Sequence, residues 1–445
     1  MLRGILVGVL SLLIAAAAAC ASPVLMISLD GLRPGDVLEA RKRGLNLPNL
    51  TAFVKTGAYA TGVRNALPTV TYPNHTTLIT GVWPAQHGIA NNAVFDPSGK
   101  NMDGWYWYES DIRVQTLWDE VHAKHGIVAS VDWPVSVGAD SIDYNLPEYW
   151  RAQTPDDLKL LRALATPGLI ARLERDTGVP LSALFGAEPQ HDVARTHYAE
   201  TLFDLARPEF MTVHLVSLDH VQHTFGPDTP EAHAALERLD ADVGELAAAA
   251  RRAEPDVTIA IVSDHGFAPV SREVNLGRAF VDAGLATYEA EKHRVTAWDA
   301  IPWNAGGSSM IVLARPDDAV LKDKVATLLA KLAADPANGI ARVIDKAGIE
   351  ARGGTGKASY WVDFKIGYMA GASSTGPLVS PAPLKGEHGY FPEDKEMQAT
   401  FLISGPTVAS IKKRKLGEID MRDIAPTLAK ILDVPLPGAA GKPLF

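Results

Sequence analysis

Val24-Leu25-Met26-Ile27-Ser28-Leu29-Asp30-Gly31 is the stretch that decides the fold. A short apolar run that stops on an acidic residue and a glycine reads as a buried strand with Asp30 at its carboxyl end. The same grammar returns at Met211-Thr212-Val213-His214-Leu215-Val216-Ser217-Leu218, which leads into Asp219. It returns again at Val257-Thr258-Ile259-Ala260-Ile261-Val262-Ser263, which leads into Asp264. Helical patterns lie between, for example Ala232 to Arg252, rich in Ala, Leu and Glu. Strands alternating with helices predict an α/β sandwich, with a mainly parallel central sheet and helices on both faces. In such sheets ligands gather at the carboxyl ends of the strands. One aspartate there would be unremarkable; three, each followed by His or Gly in short order, point to a site.

Further along, Thr400 to Pro406 reads as a returning strand and Asp423 to Leu432 as a closing helix. The segment from about 275 to 384 has a different texture. It holds a glycine-rich piece at 305–309, a strand at Met310 to Leu313, a helix at Asp317 to Ala333 and a second glycine cluster at 353–356. It reads as a cap inserted into one catalytic domain spanning 22–445. Residues 1–21 stand apart. Met1-Leu2-Arg3 precedes an apolar run from Gly4 to Ala19 and then small residues, the layout of a secretory signal peptide. Cleavage before Ser22 would give a soluble periplasmic or secreted protein. Ala17-Ala18-Ala19-Cys20 also resembles a lipobox, which would make Cys20 a lipid anchor; Ala17 in place of the usual Leu favours soluble export.

The composition, 47% hydrophobic and 21% charged, is that of a globular chain and excludes a disordered one. A net charge of -10 argues against nucleic acid as a stable partner, because phosphate backbones select basic surfaces. It leaves room for a small phosphorylated substrate held by cations. Cys20 is the only cysteine. A metal site must therefore be built from His, Asp, Glu and hydroxyl oxygens.

Four elements carry candidate chemistry. Asp219 and His223 are four apart, on one face of any helix that starts there. The pair reads either as half a metal site or as an N-cap with a surface histidine. Asp264-His265-Gly266 places two ligands side by side at a strand end, with a glycine to release the chain; a capped turn is the plainer reading. His388 lies in a glycine-flanked loop, Gly386-Glu387-His388-Gly389-Tyr390, where Glu387 reads as solvent-facing. Thr71 opens Thr71-Tyr72-Pro73-Asn74-His75, with Pro73 near the first turn of a helix. A hydroxyl at a helix N-terminus sits in a positive field, though a simple N-cap looks the same.

Read together and in order, Asp30, Thr71, Asn92, Asp219, His223, Asp264, His265 and His388 resemble the metal site of the alkaline phosphatase superfamily. The chain is more similar to the nucleotide pyrophosphatase/phosphodiesterase (type I phosphodiesterase) branch. That branch has a Thr-aromatic-Pro-Asn-His core, met by Thr71 to His75, then Thr80-Gly81, Pro84 to Ile89 and Asn91-Asn92. Asp132-Trp133-Pro134-Val135-Ser136 resembles the family's Trp-Pro-Gly-Ser, with Val135 in place of the glycine.

The resemblance implies an alkaline-phosphatase-like fold and two divalent cations, zinc being the expected ion. Asp219, His223 and His388 would hold one; Asp30, Asp264 and His265 would hold the other, which also contacts Thr71. It implies Thr71 as nucleophile through a phosphothreonine intermediate, and Asn92 as a donor to a non-bridging oxygen. Tyr72 is expected to line the substrate pocket; His75 and His87 are expected to be structural. Phosphodiester or nucleotide pyrophosphate hydrolysis is the expected reaction. A phosphate monoesterase is the alternative, for which a Lys-x-Arg pair is missing after Trp133-Pro134. Lys159 and Arg162 read as a helix surface, and Lys357 or Lys365 are the cations the cap could add. A binding protein with a degenerate site is the remaining alternative. Oligomeric state is left open.

Overall fold

The computed structural model describes residues 21–445 apart from 102–103, 150–154, 293, 410 and 412–413. The expected signal peptide, with Cys20, lies outside the described residues apart from its last position. Among the described residues no helix is long and apolar enough to cross a membrane.

An eight-stranded sheet forms the centre. Across it run Lys415–Asp420, Ala58–Arg64, Phe401–Ser404, Thr258–Val262, Val24–Leu29, Phe210–Leu215, Val128–Val131 and Tyr144–Leu146. Neighbours pair in parallel except for Phe401–Ser404, which runs antiparallel to both of its partners. The predicted fold class is thus observed, with the returning strand as the one reversal.

Val24–Leu29 and Phe210–Leu215 are buried at every position, as expected for strands covered on both faces. Their alternation sorts two cores. Leu25, Ile27 and Leu29 join Leu202, Leu239 and Leu246 from the helices Pro189–Ala206 and Pro230–Ala253. Val24 and Met26 turn to the other face and join Leu78, Ile79 and Leu428 from Thr71–Thr80 and Ile424–Ile431.

One expected boundary moves. The second strand ends at Leu215, and Asp219 lies in the first turn of a helix, Ser217–Phe225, rather than directly at a strand end. An apolar run of strand composition cannot mark where its backbone begins to coil.

Residues 268–391 form further sheets with their own apolar cluster. Ala300–Ala305, Ser308–Leu313, Tyr360–Phe364 and Ile340–Asp345 make an antiparallel sheet covered by the helix Ala319–Ala334. Leu321, Val325 and Leu329 of that helix pack with Ile311, Val362 and Phe364. A second small sheet centres on Ala268–Val274, which follows Asp264-His265 directly and pairs with Gly386–Glu387, next to His388. Two site segments are therefore stitched together by strand pairing.

Candidate active site

Three neighbouring strands deliver the acidic and imidazole groups. Asp30 ends Val24–Leu29; its two neighbours in the sheet lead to Asp264-His265 and to Asp219-His223. Gly266 lets the chain leave at once: a Cβ there would come within 2.0 Å of the Glu396 carbonyl oxygen. At Gly389, φ is +84° and a Cβ would lie 1.9 Å from the Ala305 carbonyl oxygen, so only glycine lets the His388 loop press against the Ala305–Gly306 backbone.

The groups converge into two clusters. His223 Nε2 is 3.4 Å from one Asp219 oxygen, and His388 Nε2 is 3.6 Å from the other. His265 Nε2 lies 3.1 Å from Asp264 Oδ2 and 3.3 Å from Asp30 Oδ1. Donor atoms of Asp219, His223 and His388 all fall within 4.8 Å of one another, as do those of Asp30, Asp219 and His265. Asp219 therefore stands between the clusters. The ring of His388 stacks on that of His265, with centroids 3.6 Å apart and planes at 12°.

The donor set fits divalent cations. Asp30 Oδ1, Asp219 Oδ1 and Asp264 Oδ2 are buried with no hydrogen-bond partner, one orphaned oxygen from each aspartate. Buried carboxylate oxygens are costly unless something positive meets them. Burial, then Asp264 and Asp219, push the Asp30 carboxyl well above the usual range. Burial opposes protonation of His265, yet Asp264, Asp30 and Asp219 hold its pKa up to about 10. Burial would also raise Asp264, but neighbouring His265 holds it well below the carboxylate range. Nitrogen and oxygen donors without thiolate suit zinc and similar ions.

Thr71 is the first residue of the helix Thr71–Thr80, after an extended Val70. Its hydroxyl is 3.5 Å from His265 Nε2. Asn92 Oδ1 accepts the Tyr72 backbone N–H at 2.8 Å, and among the described residues its amide nitrogen donates to no other group. Thr69 is committed elsewhere: its hydroxyl donates to the Tyr390 carbonyl at 2.7 Å. His75 is wholly buried, donating from Nδ1 to the Thr71 carbonyl at 2.9 Å and accepting from Ser28 at 2.8 Å. His87 is likewise wholly buried against Thr77.

Two expectations need correction. Tyr72, expected to line the substrate pocket, is not exposed in this structure. It is fully buried, its hydroxyl donates to Glu148 at 3.3 Å, and its ring meets Trp105 edge-on at 5.2 Å. Its first-turn position aims it into the core rather than toward the strand ends. Glu387 is not solvent-facing but 5% exposed, 3.8 Å from His223 Nδ1, with its carboxylate accepting the His388 N–H at 3.0 Å.

Beside Tyr72 opens a cleft of about 460 Å³, with Trp105, Tyr106, Tyr149, Arg113 and Lys357 in its walls. The Tyr106 N–H donates to the Asn92 carbonyl at 3.0 Å, so the cleft adjoins the Tyr72–Asn92 hydrogen bond. Lys357 Nζ reaches the Tyr106 hydroxyl at 3.2 Å. Lys159 and Arg162 lie on the helix Pro155–Leu164; Lys159 pairs with Asp156, and Arg162 with Glu174 at 2.6 Å. Lys365 is exposed and does not line the cleft.

Signals missed in the sequence were His214 and Glu148. His214 interrupts an apolar strand and touches Asp30; Glu148 touches both His214 and Tyr72. A histidine inside a strand that must be buried was the available signal for the first.

A sheet that gathers three aspartates and three histidines beside a helix-terminal threonine defines an alkaline-phosphatase-like hydrolase. The comparisons refine that class. A family model described as type I phosphodiesterase/nucleotide pyrophosphatase matches residues 24–391, and the chain belongs to that family. An uncharacterised pyrophosphatase/phosphodiesterase of Schizosaccharomyces pombe is 27% identical over 93% of the chain and 77% of its own length. Mouse ectonucleotide pyrophosphatase/phosphodiesterase family member 1 is 28% identical over 55% of the chain, and the match spans 24% of that longer protein. Among solved structures, murine ectonucleotide pyrophosphatase/phosphodiesterase 5, an inactive form in complex with AMP, shares the fold with a TM-score of 0.65. It is 20% identical and is covered over 96% of its length, and 93% of this chain is matched.

Proposed function

We propose that the chain is an exported, metal-dependent hydrolase that cleaves phosphodiester or nucleotide pyrophosphate bonds with Thr71 as nucleophile. The observation that carries this reading is the Thr71 hydroxyl, 3.5 Å from His265 Nε2, beside three orphaned carboxylate oxygens. Asp219, His223 and His388 would hold one cation, and Asp30, Asp264 and His265 the other. When bound, such a pair supplies Lewis-acid stabilisation of the phosphoryl oxygens and lowers the pKa of the attacking hydroxyl.

The chain's own residues do the rest. Thr71 Oγ1 attacks phosphorus in line, the bond to the leaving oxygen breaks, and the phosphoryl group is carried on Thr71. With a diester that adduct is a threonine phosphodiester. Water then displaces Thr71 and releases the product. The Asn92 amide, its oxygen held by the Tyr72 N–H, is free to donate to a non-bridging oxygen where charge builds up. The aromatic cleft receives a base or aryl group, and the segment at about 275–384 acts as a cap that contributes Lys357 to its wall. A small phosphorylated substrate, such as a nucleotide, fits these walls.

Side-by-side kcat/KM values for an aryl phosphodiester, an aryl phosphate monoester and a dinucleotide pyrophosphate test the reading. The diester or pyrophosphate leads if it holds. A monoester preference moves the chain to the monoesterase alternative. No turnover of any of them by zinc-loaded protein contradicts it outright.

A further inference from the structure

His214 has no role in the scheme above, yet it is buried next to the site with polar partners on both ring nitrogens. It lies on Phe210–Leu215 in register with Ser28 of the adjacent strand. Its ring is 1% exposed. Nε2 is 3.0 Å from Asp30 Oδ2. Nδ1 is 3.1 Å from the Asp132 carbonyl and 3.3 Å from Glu148 Oε2. The other oxygen of Glu148 accepts the Tyr72 hydroxyl at 3.3 Å. The ring of His75, which holds the Thr71 carbonyl, meets that of His214 at 4.4 Å between centroids.

The consequence for Asp30 is geometric. A carboxylate that swings freely can present either oxygen, or both, to a cation. Here one oxygen is taken by His214 while the other, Oδ1, has no hydrogen-bond partner and faces His265 Nε2 at 3.3 Å. At the far edge of the imidazole Nδ1 is held by the Asp132 carbonyl at 3.1 Å, with the Glu148 carboxylate beside it at 3.3 Å, so both ring nitrogens have a polar neighbour. Groups one step behind a ligand that fix its orientation commonly change metal affinity by about 10–100-fold when they are removed.

We propose that Glu148 and His214 are a positioning pair for Asp30. They fix which oxygen the Asp30–Asp264–His265 cluster presents to its cation, and through Tyr72 they tie that choice to the residue beside the nucleophile. The inference rests on the two-cation reading of the site. It makes an asymmetric statement: the pair tunes one of the two cation sites, because the ligand that His214 holds is Asp30, at 3.0 Å, while the Asp219–His223–His388 cluster is joined by its own contacts.

The test is zinc titration of metal-free protein against a chromophoric chelator, with circular dichroism to check folding. His214→Phe is expected to weaken one zinc site by about 10–100-fold and to leave the other at its wild-type affinity. His214→Gln, which keeps an N–H donor for Asp30, is expected to recover most of that loss. Two unchanged sites in folded His214→Phe overturn the proposal, and so does equal weakening of both. If His214→Phe does not fold, Glu148→Leu decides by the same criterion. Wild-type protein that binds no zinc overturns the two-cation reading together with this one; tight binding at both sites in wild type and variant overturns this one alone.

Discussion

The backbone carbonyl of Thr69 accepts the Nδ1–H of His388 at 3.1 Å, and the Gly389 N–H donates to the same oxygen at 3.0 Å. The turn before the proposed nucleophile and the loop of a distant proposed ligand are thus one structure. That contact directs His388 Nε2 toward Asp219. It assigns Thr69 a backbone role, because the carbonyl is what His388 uses.

Thr69 and Thr71 should therefore respond differently to loss of the hydroxyl. Thr69→Ala removes a buried hydrogen bond to the Tyr390 carbonyl, costing about 0.5–1.5 kcal/mol of stability. The carbonyl that holds His388 remains, so turnover stays within an order of magnitude of wild type. Thr71→Ala abolishes turnover with a similar melting temperature. Steady-state kinetics and thermal melts on the two variants check both statements.

Cation removal should lower stability as well as activity. Asp30, Asp264 and Asp219 are forced together without compensating hydrogen bonds on one oxygen each. Each saturated site adds about 2.7 kcal/mol at a hundredfold excess of free ion over Kd. Chelation is expected to drop the melting temperature and zinc to restore it. An unchanged melt after verified metal loss counts against the assignment of these groups as ligands.

Lys357 gives a prediction about substrate charge. Its ammonium stands over the Tyr106 and Trp303 rings at 5.9 and 5.8 Å in the cleft wall. Lys357→Met should raise KM for a nucleoside triphosphate, which carries charge beyond the scissile phosphate. It should leave an aryl diester, whose single charge sits on the scissile phosphate, nearly unaffected. The paired KM values decide, and an equal change for both substrates would remove Lys357 from substrate binding.

Acid stability should depend on His87. Burial holds its pKa down at about 3, and Nδ1 is occupied as an acceptor by the Ile89 N–H at 3.1 Å. The unfolded value is higher, near 6.5. The neutral ring therefore contributes stability that is present above pH 6.5 and is lost as pH falls from there toward 3. The slope is about 1.36 kcal/mol per pH unit for one such proton. His87→Gln should flatten the fall by that amount in chemical denaturation of metal-free protein. His75 is lowered in the same sense but is common to both proteins, so the difference isolates His87.

The strand-end aspartates were legible because a buried parallel strand has one readable grammar: an apolar run, then the first polar residue at the end where ligands bind. Thr71 and the order of the ligands were legible through the compact Thr-Tyr-Pro-Asn-His stretch. What escaped depends on contacts between distant segments. The direction of Tyr72 is set by Glu148 and Trp105, and the burial of Glu387 by the cap loop. The cleft takes walls from 105–113, Tyr149 and Lys357, which no local pattern links. Val135 shows the opposite case. The missing glycine was visible in sequence, and the structure shows what it means: Val135 adopts φ of +56°, a strained value for a β-branched residue, while it is buried in the apolar cluster that includes Tyr72 and Trp107.

The most direct measurement is an acid quench of zinc-loaded enzyme during turnover of an aryl phosphodiester, followed by peptide mapping by mass spectrometry. The account predicts a covalent phosphoryl adduct on the peptide containing Thr71, still bearing the second ester group, and none in Thr71→Ala. An adduct on another residue, or Thr71→Ala that turns over like wild type, would contradict it.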